Sequence, residues 1–104
     1  MYFVDEDNTI TIVKKDTANF CVSLDNLYEL KEGDVLTFTV AKEKESQNPL
    51  IQKQITEFIG NLAVIFLDTE DTNLDKGTYY YDVQLNTADG WIDTVIGPCK
   101  FKII

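Results

Sequence analysis

The 104-residue sequence predicts an all-β fold, a two-sheet sandwich of about seven strands, on three observations. Short segments alternate apolar and polar residues with the period of two that sends one side of a strand into a core. Turn residues punctuate them at Lys14-Lys15-Asp16, Glu32-Gly33-Asp34, Asp75-Lys76-Gly77 and Ala88-Asp89-Gly90. The longest alternation runs from Thr78 to Asn86. It sends Tyr79, Tyr81, Val83 and Leu85 to one face and Tyr80, Asp82, Gln84 and Asn86 to the other.

The approach to that strand narrows the architecture. Leu74 is followed by Asp75-Lys76-Gly77-Thr78-Tyr79, a turn whose glycine is free to take positive φ and whose tyrosine opens the strand. This is how the sixth strand of an immunoglobulin-type sandwich begins, with the tyrosine hydroxyl turned back onto the preceding loop. The predicted fold is therefore immunoglobulin-like, with Asp75, Gly77 and Tyr79 as the structural corner. Tyr81 occupies the position where antibody domains carry a cysteine, so no inter-sheet disulfide is expected.

The other elements follow in order. Thr9 to Val13 reads as a strand with Ile10 and Ile12 inward. The next strand, Ala18 to Asp25, sends Phe20, Val22 and Leu24 inward and Cys21, Ser23 and Asp25 outward. After the turn at Gly33, Val35 to Val40 places Leu36, Phe38 and Val40 inward with its threonines outward. Ala41 to Pro49 is a solvated loop, or a strand end running out into one. Residues 50–59 stay open between edge strand and helix. Their apolar spacing fits a helix, but Ile51, Ile55 and Ile59 favour a strand, which a sandwich wants here and which we prefer. Leu62 to Leu67 is a continuous apolar run, expected to be a fully buried strand. The Asp89-Gly90 pair supplies positive φ values for a hairpin, and Trp91 to Ile96 returns. Gly97-Pro98 interrupts that strand with a bulge or edge switch. It resumes through Cys99, Phe101 and Ile103, with Lys100 and Lys102 toward solvent.

Composition bounds function. One domain is expected from the length, and 44% hydrophobic residues suit a globular chain. The net charge of −9 argues against nucleic acid and anionic membranes as partners, since both need cationic surface. The opening Met1 to Asp7 has no basic lead or apolar run, so no signal peptide is expected there. No stretch is long enough to span a membrane. Without histidine the commonest general base and neutral metal ligand are missing. Cys21 and Cys99 are expected to be unlinked, reduced thiols.

Four constellations could carry chemistry. Asp71, Asn73 and Asp75, with Asp82 twelve residues into the count, resemble a calcium loop, but Lys76 stands where such loops need glycine. A solvated turn is the preferred reading, and neither metal nor cofactor is expected. Asp5, Glu6 and Asp7 are expected to be mobile. Asp82 and Asp93 are expected to face each other across the last hairpin, in a domain too small for a glycosidase cleft. Tyr80 and Trp91, on adjacent strands, are the candidate interaction residues, for a protein partner or, alternatively, a sugar.

Several segments together resemble short phage and prophage proteins of Gram-positive bacteria. These are Asn8-Thr9-Ile10-Thr11-Ile12, the Glu32-Gly33-Asp34 turn, Gly77 to Leu85, Ala88-Asp89-Gly90 and Lys100 to Ile103. The chain is similar to the immunoglobulin-like N-terminal domain of baseplate upper proteins. The resemblance covers most of the chain, is specific from Leu74 to Ile103, and departs between Ser46 and Gly60. It implies a non-enzymatic virion protein, tail or baseplate associated and assembled in the host cytoplasm. Other phage structural proteins, with self-association besides, are the implied partners. No catalytic residue carries over. Ending at Ile104, directly after the last strand, the chain is expected to stand alone as an adaptor, decoration or tail component.

Overall fold

The computed structural model describes residues 1–24, 28–44 and 48–104. Among them the chain forms eight strands and no helix: β1 (Tyr2–Val4), β2 (Ile10–Ile12), β3 (Ala18–Ser23), β4 (Val35–Ala41), β5 (Ile51–Ile55), β6 (Leu62–Leu67), β7 (Gly77–Asn86) and β8 (Ile92–Ile103). They make a six-stranded sheet in the order β1-β2-β8-β7-β4-β5 and a two-stranded sheet of β3 and β6. All pairings are antiparallel except β2 with β8. In immunoglobulin lettering β8-β7-β4-β5 correspond to G-F-C-C′ and β3-β6 to B-E. Among the described residues the small sheet has no outer strands A and D.

Alternation sets the core. β7 buries Tyr79, Tyr81, Val83 and Leu85, β4 buries Leu36, Phe38 and Val40, and β8 buries Phe101 and Ile103. The small sheet answers with Ala18, Val22, Ala63, Ile65 and Leu67. The layers are pinned by aromatic rings. Phe38 lies 5.5 Å from Tyr81, 5.9 Å from Phe20 and 6.3 Å from Phe101, and Tyr2 meets Phe20 edge-on at 5.6 Å. Such pairs add to the burial of their own area. They fill the place that a disulfide takes in antibody domains, and the Tyr81 hydroxyl donates to the Asn8 carbonyl oxygen.

The structure departs from some expectations and bears out others. An eighth strand, β1, precedes the first expected one. It is too short to alternate visibly, and it is held by pairing with β2 and by the Tyr2 hydroxyl, which donates to the Asn19 carbonyl oxygen. Asp5, Glu6 and Asp7 lie in the connecting turn, where the Thr9 amide donates to Asp7 and the Asp5 amide to the Thr9 carbonyl oxygen. Residues 51–55 are an edge strand on β4, which settles the strand-or-helix question for that part. Thr37 lies on the outward face of β4 as expected, yet it is buried there, flanked in register by Gln54 and Gln84. At the last hairpin only Gly90 takes positive φ (95°). The Thr87 amide donates to the Trp91 carbonyl oxygen, so the turn is longer than a two-residue loop. β8 is one strand with register slips between Tyr81 and Gln84, placing extra residues at Val95 and around Gly97-Pro98. The outward position expected for Asp25 lies outside the described residues.

One correction concerns surface. β6 is not fully buried. Ala63, Ile65 and Leu67 face the core, whereas Leu62, Val64 and Phe66 keep 40%, 41% and 54% of their surface in solvent. A continuous apolar run looks the same whether one face is covered or two; here the fold covers one.

Candidate interaction surfaces

The corner at the start of β7 is built from its turn. Gly77 (φ 155°) lets the chain enter the strand, and the Tyr79 hydroxyl reaches back to donate to the Asp75 carbonyl oxygen at 2.6 Å. Burial, and then the Asp75 carboxylate, push that phenol above its ordinary pKa, so it remains a donor. Lys42 lies over the Tyr79 ring at 4.7 Å.

Tyr80 and Trp91 do not form one surface. Tyr80 is half-buried on the outer face of the large sheet, opposite Lys100, with the Lys44 ammonium over its ring at 5.3 Å. Trp91 lies beyond the other end of β7, before β8 begins, and is 71% exposed. Asn86 pairs with Ile92 there. At about 3.3 Å per residue the two rings sit roughly 20 Å apart along the hairpin. A sugar cannot stack on both.

The carboxylates are likewise dispersed. Asp93 pairs with Leu85, three residues along β7 from Asp82, so the two acids do not face each other. Burial raises the Asp82 pKa. In the acidic loop the Asp68 carboxylate accepts the amides of Glu70 and Asp71 (3.0 and 2.8 Å), which hold it below its usual range. Asp71 accepts the Asp68 amide and lies 2.8 Å from Lys53 Nζ. These oxygens are committed to loop and lysine, and no group of three potential ligands gathers among the described residues. Cys21 is exposed on β3; Cys99 is half-buried on β8; both are free thiols.

One carboxylate has a part that its sequence position did not reveal. Asp34 is fully buried. Its Oδ1 accepts the Ala88 amide and its Oδ2 the Lys31 amide, each at 3.0 Å. Burial pushes its pKa up, but these amides, the Tyr28 side chain and the Lys31 ammonium prevail and hold it below the carboxylate range. Gly33 (φ 92°) lies against Ala88, where a Cβ would come within 2.9 Å of the alanine methyl. The 31–34 turn is thereby locked to the β7–β8 hairpin.

The largest feature not anticipated is the outer face of β3 and β6. Leu62, Val64 and Phe66 stand opposite Ser23, Cys21 and Asn19 in register. Ile59, 74% exposed, extends the apolar row past the Ile59–Leu62 bridge. Glu57, Phe58, Ile59, Leu62 and Val64 line a hollow of ≈ 260 Å³ at that end. Neither strand contains a charged residue, in a chain whose net charge is −9. A usable signal was that combination: two uncharged segments in a chain rich in carboxylates.

A scan against protein-family models, a search of curated proteins and a search of solved structures return no match to this chain.

Proposed function

We propose that this chain is a non-enzymatic structural protein of a phage or prophage, whose sandwich serves as a protein–protein assembly module associated with the tail or baseplate. The observation that carries the assembly role is the uncovered face of β6. Leu62, Val64 and Phe66 present apolar side chains to water from a strand whose composition is that of an interior strand. Contiguous exposed apolar surface on a small domain marks a site of interaction. A two-stranded sheet also leaves main-chain edges available for pairing. The phage attribution rests on the resemblance of Gly77 to Leu85 and its neighbouring turns. The test is mass spectrometry of particles purified from the encoding bacterium after prophage induction. The chain should be a stoichiometric particle component, and its incorporation should fall at least tenfold in Phe66→Glu. Absence of the chain from particles overturns the reading.

A further inference from the structure

We infer that the outer face of the β3–β6 sheet is the interface of a homodimer, with a second copy of this chain as the occupant. The inference rests on the assembly reading above and names the partner for that same surface.

Three observations select a second copy. The first is charge. A cationic partner, which a net charge of −9 would otherwise favour, finds no carboxylate on Ala18–Ser23 or Leu62–Leu67. The acidic residues that would repel a second copy lie off these strands, Glu57 at the hollow beyond β6 among them, so the two uncharged strands are where two such chains can meet with least repulsion.

The second is shape. The face has a knob at one end, Phe66, and a hollow at the other, lined by Phe58, Ile59, Leu62 and Val64 with Glu57 beside them. Val64 lies midway between Leu62 and Phe66. A two-fold axis in the interface, at right angles to β6 and opposite Val64, exchanges the two ends. Each Phe66 then falls over the partner copy's hollow, whose ≈ 260 Å³ accommodates a phenyl ring. Self-complementarity of this kind is what an isologous contact requires.

The third is area. Given about 150–250 Å² for a whole aromatic side chain and less for an aliphatic one, the exposed parts of Ile59, Leu62, Val64 and Phe66 amount to roughly 400 Å². Two copies would cover about twice that from these residues alone. Asn19, Cys21 and Ser23 on the same face bring the total to about 1,000 Å² or more, the threshold for a specific interface.

The arrangement makes a geometric prediction that variants at Phe66 do not share. Cys21 stands opposite Val64 in register. The same axis therefore brings the two Cys21 thiols face to face across the interface, in sheets packed about 10 Å apart.

Sedimentation equilibrium of the full chain at micromolar to millimolar concentration tests the inference. Wild type should have the mass of two chains, and Phe66→Glu and Val64→Glu that of one, with unchanged circular dichroism. Ile92→Glu, which alters an exposed apolar residue on the large sheet, should remain dimeric. A short bis-maleimide should link two wild-type chains and fail with Cys21→Ser. A wild-type monomer at every concentration overturns the inference. So does a dimer that persists in both well-folded glutamate variants, or one that is not linked through Cys21. If wild type is monomeric yet Phe66→Glu is excluded from particles, the face binds a different protein and the assembly reading stands. If wild type is monomeric and that variant is incorporated normally, both readings fall.

Discussion

Removing the Asp34 carboxylate should destabilise the fold more than any single surface contact. The side chain is fully buried and accepts two amides at 3.0 Å, one from its own turn and one from the β7–β8 hairpin. Hydrogen bonds to a charged group contribute about 1.5–3 kcal/mol each. Lys31 and Ala88 are exposed residues, so water can reach part of what Asp34→Ala leaves unpaired. The expected loss is therefore about 2–4 kcal/mol rather than the full pair. For a domain of this size 1 kcal/mol moves the melting midpoint by about 4–8 °C, so Asp34→Ala should melt roughly 8–32 °C lower. Asp34→Asn keeps one acceptor and should fall between. The pH dependence follows from the depressed folded-state pKa. The contribution is fully present above the unfolded value of about 3.9 and is lost as pH falls through the lower folded value. Thermal melts by circular dichroism at pH 7 and in steps below pH 4 should show the wild-type advantage over Asp34→Asn shrinking toward acid. A melt of Asp34→Ala within 2 °C of wild type at neutral pH would refute the reasoning.

Other consequences can be checked with the same melts. Tyr79→Phe removes the bond to the Asp75 carbonyl and should cost about 1 kcal/mol; an unmoved midpoint counts against the corner. Gly33→Ala places a side chain at φ 92° and a methyl against Ala88, and should cost about 1–3 kcal/mol. A neutral result would mean that the turn and hairpin are not locked together. Thr72→Val loses the buried hydroxyl that donates to the Asp16 carbonyl at 2.7 Å, joining two loops far apart in sequence. About 1–2 kcal/mol should go with it, read from urea midpoints. Calcium should leave the wild-type midpoint unmoved, because Asp68 and Asp71 are engaged by loop amides and Lys53; a saturable rise would restore the metal reading.

How much of this was legible beforehand depends on whether a residue's role is local. The inward faces of β3, β4 and β7 follow from alternation, and the corner is a local motif, so both could be read from neighbours in the chain. Register is not local. Tyr80 and Trp91 appear close because they begin consecutive strands, yet antiparallel pairing puts the beginning of one against the end of the other. Asp82 and Asp93 fail for a related reason: Asp93 lies one residue into β8 and pairs with Leu85. Asp34 sits in a turn, where acids are ordinary; only Ala88, far along the chain, reveals that this one is buried. β6 shows the limit of composition, since six apolar residues report what the strand prefers around it, not how many layers this chain supplies.

Among the described residues three tyrosine hydroxyls reach main-chain carbonyls, Tyr2 to Asn19, Tyr79 to Asp75 and Tyr81 to Asn8, and tie loop and strand together without a covalent link. A fastening of this kind needs no oxidant to form and no reductant can undo it. The sandwich should acquire its final structure as readily in a reducing medium as in an oxidising one, and recover it after heating in dithiothreitol.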